Sequence, residues 1–380
     1  MQVAADRQSL ARAPLAIRRV DAIALALPLT KPVKMAAETV THARNLLVRI
    51  EAEDGTVGWG EAASAPTMTG DTLTGLVAAV REHLAPLLVG ADAWSRPMLA
   101  RRLRTALYGN TGAHSAVEMA LLDVAARSAG VAVIDLIGGA VRRAVAPMWL
   151  IGNATVDQDV AEAQARKAAG IRFFKLKVAV KPLADEIAAA FAVRKVLGPD
   201  IPLCADANCG FSHEAARRYL AATAEAGLLF LEQPFEPTDM NGLAALARTA
   251  PIAIGADEGI HSLHDIEAHA AAGAGGASLK LIKLGGFSGA LAAAALCRRL
   301  GLAVNIAAKI SESSLASAAA MHLACAVDNV DWGVSLTHFY LAEDIVRRPL
   351  VMENGRVPLP LGPGLGVEID EDAVARLRAG

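Results

Sequence analysis

Residues 203–208 read LCADAN, 228–234 read LLFLEQP and 252–258 read IAIGADE. Each is an apolar run that ends on an acid. The acids are Asp206, Glu232 and Asp257, spaced 26 and 25 residues apart. A strand–helix unit of a parallel barrel takes roughly 25 to 30 residues, and the C-terminal strand ends surround one site. Three carboxylates converging there repel strongly unless a hard cation holds them. Ligands that are all oxygen suit Mg²⁺, with Mn²⁺ a possible substitute.

The pattern extends in both directions. One unit earlier, RFFKLKV (172–178) carries Lys175 and Lys177; one unit later, SLKLIKLGG (278–286) carries Lys280. Side chains alternate along a strand, so Lys175 and Lys177 share a face and Phe174, Leu176 and Val178 take the other. The apolar face is expected against outer helices, which turns the lysines into the barrel mouth. A strand interior should exclude charge, so a lysine pair there points to a function. Lys283 falls past the strand end and is expected to be structural. Gly285–Gly286 has the look of a phosphate-binding turn, but alone that signal is weak and a tight strand-to-helix turn is the better reading.

With 380 residues the chain is long for a single domain, and a hydrophobic content of 54% allows a large core. The net charge is −2, and no basic run interleaved with aromatics argues for nucleic acid. RRLR at 101–104 reads as a solvated helix face. Mean hydropathy is positive, yet no apolar run reaches the roughly 18 to 20 residues of a membrane span. The opening MQVAADRQSLARAP lacks a signal-peptide pattern. Cys204, Cys209, Cys297 and Cys325 form no CxxC pair, and their spacing suggests neither zinc nor a disulfide framework. A cytoplasmic protein that binds neither nucleic acid nor membrane is expected.

Residues 17–62 read as an antiparallel sheet, with EDGT (53–56) as a hairpin turn. Residues 72–137 carry helical periodicity. Strands followed by segregated helices indicate an α+β domain. From about 145 the pattern changes. Apolar runs at 146–151, 171–178, 201–205, 228–231, 252–256, 278–282, 302–307 and 330–336 alternate with Ala-rich helical stretches. Eight such runs match a β/α barrel. The expected division is a mobile tail (1–16), an α+β capping domain (17–140), a barrel (141–345) and a C-terminal segment (346–380) that packs back on the cap. His213, His261 and His264 fall near helix starts and are expected at the surface. Trp332 is expected either in the core or, at the C-terminal end of the last strand, lining the substrate pocket, where an indole can hold a cationic group.

At these residues the chain resembles the enolase superfamily, specifically its muconate-lactonizing (muconate cycloisomerase) subgroup within the mandelate racemase/muconate lactonizing enzymes. The resemblance runs nearly end to end: LPLTKPVKMA (27–36), GWGEA (58–62), GNTGAHSAVEMALLD (109–123), then FKLK, DAN, EQP, ADE and LKLIKLGG in order. It implies a modified (β/α)7β TIM-type barrel under an N-terminal α+β cap, an isomerase activity and a homo-oligomer acting on a small carboxylate. It implies Asp206, Glu232 and Asp257 as Mg²⁺ ligands, Lys177 and Lys280 as acid/base groups, Lys175 as an auxiliary lysine and Glu312 in KISESS as a seventh-strand carboxylate. Asn208 and Glu258 would orient the ligands, and the loop Lys31 to Met35, with Lys34 and Met35 at the substrate, would help to set specificity.

Those roles are physically coherent. Removing a proton beside a carboxylate makes a dianionic enolate that water stabilises poorly, and a divalent ion on the carboxylate contributes several kcal/mol. Burial beside Lys175 and a metal cation favours the neutral amine that a base at Lys177 needs. The same scaffold supports cycloisomerisation, racemisation or epimerisation of an N-substituted or cyclic amino-acid derivative, and acid dehydration; a fold does not choose among them. A metal-binding barrel without turnover is the alternative of another class, and it would have no need of both lysines.

Overall fold

A computed structural model describes residues 13–34, 39–152 and 154–379. Most of the expected tail, and Met35 of the expected specificity loop, lie outside the described residues, as does the Lys34 side chain. The expected tail boundary is too late: Leu15 is buried and its backbone N–H donates to Asp92 Oδ1 at 2.9 Å. An apolar side chain with a place in the cap's core anchors the chain before the first strand begins.

Three antiparallel strands form the cap sheet: β1 (Ile17–Lys34), β2 (Thr39–Ala52) and β3 (Val57–Ala63). LLV (46–48) in β2 is a continuous apolar run because both faces of this sheet are buried there. Leu46, Val48 and Ile50 face the helices of the cap, while Leu47 joins the core shared with the barrel. The helix Thr111–Ala129 lies directly on β3. A Cβ on Gly60 would stand 2.0 Å from the Ala116 carbonyl oxygen, so only glycine permits this approach.

The cap is latched to the barrel by two acids, of which Glu61 is buried. Glu61, from GWGEA, accepts from the backbone N–H of Ser313 (3.1 Å) and of Ala316 (3.2 Å), at the start of the helix Ser314–Ala326. Glu118 accepts from the Ser288 N–H at 3.2 Å, at the start of the helix Phe287–Leu300. Both carboxylates supply what a helix N-terminus lacks, namely acceptors and negative charge. Gly286 therefore belongs to a turn filled by the Glu118 carboxylate. The C-terminal segment meets the cap through the Leu365 N–H on Asp123 (2.7 Å) and Arg127 on the Val367 carbonyl (2.6 Å). It also pairs β13 (Val357–Pro358) with β4 (Ala144–Val145).

Eight parallel strands close the barrel: β5 (Pro147–Ile151), β6 (Phe173–Lys177), β7 (Leu203–Asp206), β8 (Phe230–Glu232), β9 (Ala253–Ala256), β10 (Gly276–Leu279), β11 (Ala303–Ile306) and β12 (Val334–Ser335). A helix of eight or more residues follows each of β5 to β11; β12 is followed by a single 3₁₀ turn, His338–Tyr340. The result is a (β/α)7β barrel. Phe174, Leu176 and Val178 pack outward as expected.

Two strand readings change. The sixth barrel strand begins at Gly276 and ends at Leu279, and Leu281–Leu284 is a short helix capped by Lys280. The last strand begins only at Val334, so Trp332 precedes it and enters the barrel from the N-terminal end. There it is buried with Met148, Phe173, Cys204 and Phe230. It stacks on Phe230 at 3.9 Å between centroids and 9° between planes. Gly255 and Gly276 leave the space the indole fills. Trp332 is the barrel floor and does not line the cavity at the other end of the strands.

Candidate active site

At the opposite end of the same strands the interior is charged. β6 presents Lys175 and Lys177 one residue pair apart, and in register Lys177 sits beside Asp206 of β7, which sits beside Glu232 of β8. Asp257 follows the end of β9, and Lys280 follows the end of β10. Asp206, Glu232, Asp257, Lys175 and Lys280 are all buried. The expected set is thus brought together at one end of one barrel.

The side chains are paired. Lys175 bonds Glu232 and stands 3.9 Å from Asp206. Lys177 donates to Asp206 Oδ2 at 2.5 Å and to the Asn208 side-chain Oδ1. Lys280 bonds Asp257 at 2.5 Å and reaches Met68 of the cap at 3.6 Å. Lys283, expected to be structural, is fully buried and holds the other Asp257 oxygen at 2.6 Å as well as the Ser278 carbonyl at 3.1 Å. The Asn208 side chain donates to Glu258 at 2.8 Å, and its backbone N–H donates to Asp206 Oδ1 at 3.0 Å.

Charge balance follows from these pairs. Burial favours neutral forms throughout, and the ion pairs decide which groups resist it. Burial is outweighed at Asp206 by Lys177 and Lys175, and at Asp257 by Lys280 and Lys283, so both carboxyls lie below their ordinary range. At Glu232 burial wins, and its carboxyl is raised despite Lys175. The lysines at 175 and 280 are held above their ordinary value by those same acids, against burial. Glu258 is pushed up to about 7 by burial and then by Asp257 and Asp206.

Three buried carboxylates with only oxygen to offer are the donor chemistry of a hard divalent cation. Among the described residues, no three His, Cys, Asp or Glu side chains are grouped closely enough to share one ion as they stand; each of the three acids is turned onto a lysine. The donor set fits the ion. Holding it requires only that side chains at fixed strand ends exchange ammonium partners for the cation.

Above this layer lies a cavity of about 830 Å³. Lys175, Lys177, Asp206, Asn208, Asp257, Glu258 and Lys280 line it, with Thr67 and Met68 supplied by the cap. Its apolar wall includes Met148, Leu150, Ile310, Leu336 and Tyr340. Lys31 crosses from the cap to Glu162 of the first barrel helix at 3.0 Å, and Thr30 donates to the Tyr340 carbonyl at 3.2 Å.

Some residues stand elsewhere than expected. Glu312 packs behind the wall formed by Lys309 and Ile310; it accepts from the Lys309 N–H at 3.2 Å, and its own N–H donates to Thr337 at 3.1 Å. His261 and His264 line the cavity, and His261 bonds the Glu258 carbonyl at 2.8 Å. Two residues were not anticipated. Lys309 is buried in the cavity wall; a cation closing the apolar run AVNIAAK was its signal. Gln233 accepts from the N–H groups of Asp257 (2.8 Å) and Gly259 (3.2 Å), at a backbone φ of +36°. A left-handed, non-glycine residue fixed in this way locks the end of β8 to the end of β9. Its signal was the Gln–Pro pair directly after Glu232.

Comparison with known proteins agrees with this architecture. Residues 18–138 match the mandelate racemase / muconate lactonizing enzyme N-terminal domain family, and residues 158–373 the enolase C-terminal domain-like family. The chain is 32% identical to chloromuconate cycloisomerase of Cupriavidus pinatubonensis over 355 residues, 92% of this chain and 95% of that one. It is 31% identical to muconate cycloisomerase 1 of Pseudomonas putida over 367 residues, 95% and 98% of the two chains. Among solved structures, the muconate lactonizing enzyme from Pseudomonas fluorescens complexed with muconolactone superposes with a TM-score of 0.92 at 29% identity, covering 96% of this chain and all of that one. A barrel whose charged end carries these acids and lysines, under a cap of the matching type, places the chain in the enolase superfamily, muconate-lactonizing subgroup, as an isomerase.

Proposed function

We propose that the enzyme is a Mg²⁺-dependent isomerase that forms and quenches an enolate beside a substrate carboxylate, in the manner of a muconate cycloisomerase. The observation that carries the reading is that Lys177 and Lys280, four strands apart in a ring of eight, line one cavity. They face the two sides of whatever carbon lies between them. Asp206, Glu232 and Asp257 would hold the Mg²⁺, which when bound supplies charge stabilisation to the substrate carboxylate.

The chain's own residues do the rest. Lys177 moves the proton at the carbon beside the carboxylate, and the Asn208 side-chain oxygen fixes the direction of its amine. Lys175, two residues before Lys177 on the same face of β6, adds a positive charge next to that base. Lys280 presents a cation from the opposite side. Met68 and its neighbours close the cavity from the cap, which excludes water from a developing anion. The apolar wall suits a carbon skeleton with few polar groups. The reading takes the enzyme as a cytoplasmic homo-oligomer; no described helix is long and apolar enough to cross a membrane.

A second reading, racemisation or epimerisation of an N-substituted or cyclic amino-acid derivative, is favoured by the same pair of lysines, since one can remove the proton and the other return it. Isotope exchange in heavy water with Mg²⁺ separates the two. In a cycloisomerase, Lys177→Ala abolishes solvent-deuterium incorporation, while Lys280→Ala slows it without changing the face. In a two-base racemase, each variant still exchanges one enantiomer. Full turnover by both variants on a confirmed substrate would remove the lysines from the mechanism altogether.

A further inference from the structure

A second cavity of about 340 Å³ lies away from the barrel mouth, where the cap helices Arg96–Ala106 and Thr111–Ala129 meet the barrel helix Phe287–Leu300. Its size is that of a small-ligand pocket. Leu103, Leu121, Phe287 and Leu291 make its apolar walls. Its polar groups are unusual in what they lack. Arg96 and Arg104 both line it, and among the described residues neither side chain makes a hydrogen bond or an ion pair; Arg96 Nε is buried without a partner.

His114 is 6% exposed. Its Nε2 lies 3.0 Å from the Leu107 carbonyl, an acceptor, so Nε2 carries the proton and Nδ1 offers a lone pair. That Nδ1 is buried and has no partner. Glu118 is the one acid in the lining, and its carboxylate is committed to the N–H and hydroxyl of Ser288. The cleft thus combines a half-buried Arg96 and a solvent-exposed Arg104, both within electrostatic reach of Glu118 but bonded to nothing among the described residues, with one buried acceptor and an apolar body. Buried polar atoms without partners are costly and uncommon in native proteins. Two of them around one cavity indicate a partner that the chain itself does not supply.

We propose that this cleft is a second ligand site, for an organic carboxylate on an apolar ring that also carries a hydroxyl. The carboxylate meets Arg96 and Arg104, whose planar forks suit it. The ring fills the space between Leu103 and Phe287, and the hydroxyl donates to His114 Nδ1. The wall at Gly285 to Ser288 directly follows the short helix that begins after Lys280. An occupant therefore braces the seam between the cap and the strand end that carries Lys280.

Calorimetric titration of the Mg²⁺-loaded full chain with 3-hydroxybenzoate tests this, with acetate and phenol as probes that lack the ring or the carboxylate. One-to-one binding is expected, at least tenfold tighter than either control. The double variant Arg96→Gln/Arg104→Gln should weaken it at least tenfold, as should Leu291→Trp, which fills the cleft from a different wall. Lys280→Ala should leave it unchanged. Affinity lost in Lys280→Ala and kept in the arginine variant would place the probe in the barrel mouth and overturn the proposal. So would the absence of binding at millimolar probe. If the probe fails to bind and Leu291→Trp instead changes the sedimentation coefficient, the cleft is an interface between copies, and the proposal fails.

Discussion

The two ends of one barrel are built from the same strands and have opposite chemistry. On β6, Phe173 is at the floor, and Lys175 and Lys177 rise from it; on β7 Cys204 gives way to Asp206, and on β8 Phe230 gives way to Glu232. Each change takes two residues, the distance between successive inward side chains. The floor is a packed plug around Trp332, and the mouth is a set of matched charges. The plug contributes burial and ring stacking. The buried charges of the mouth are an expensive arrangement that stability alone does not call for. Height along the strand, and not the inward direction of a side chain, decides which role a residue takes.

Substitutions at the mouth should therefore remove activity and spare the fold. Lys177→Ala is expected to lower kcat by roughly 10⁴-fold, the upper range for a positioned acid/base group, with an unchanged circular dichroism melt. Asp257→Asn should lose both turnover and Mg²⁺ affinity in calorimetry. A melt that collapsed in either variant would show that the mouth, too, is holding the barrel together.

The floor should answer in the reverse sense. Trp332→Ala removes a stacked, buried indole and should destabilise by about 3–5 kcal/mol in urea unfolding, with KM unchanged in the fraction that remains folded. A changed KM at unchanged stability would return the indole to the pocket. Gly276→Ala sharpens the point with a smaller change. The added Cβ meets the Trp332 ring at 2.5 Å and the Ala303 carbonyl at 2.7 Å. Overpacking of this kind costs about 1–3 kcal/mol, and Gly276→Ala combined with Trp332→Leu should recover part of that loss.

The same contrast explains what the sequence disclosed. The mouth was legible because acids and lysines at strand ends are conspicuous in apolar runs and recur at the period of a βα unit. The floor was not, because Trp332 in a run beginning near 330 looks like part of a strand that in fact starts at Val334. Only the glycines across the barrel, Gly255 and Gly276, leave room for it, and their pairing with a residue 77 and 56 positions away is invisible in one dimension. Lys309 and Gln233 escaped notice because they act through three-dimensional neighbours. Glu61 and Glu118 did so because a helix cap supplied from another domain leaves no local pattern.

Glu312 stands between the two regimes, a buried acid behind the wall that belongs to neither plug nor mouth. Burial, and then the nearby Glu61, push its carboxyl up to about 8, against an ordinary value near 4.5. The folded state therefore favours the protonated group. Between those two values the native chain keeps a proton that the unfolded chain releases, so this residue makes stability fall as pH rises from about 4.5 to about 8. The slope is on the order of 1 kcal/mol per pH unit. Glu312→Gln carries no such proton and removes its share. Its urea midpoint should change less between pH 5.5 and 7.5 than that of the parent chain, and the variant should be the more stable of the two at the upper pH. An identical pH slope in both proteins would mean that Glu312 is ionised in the fold, paired through the Lys309 side of the wall, and it would then count with the charges of the mouth.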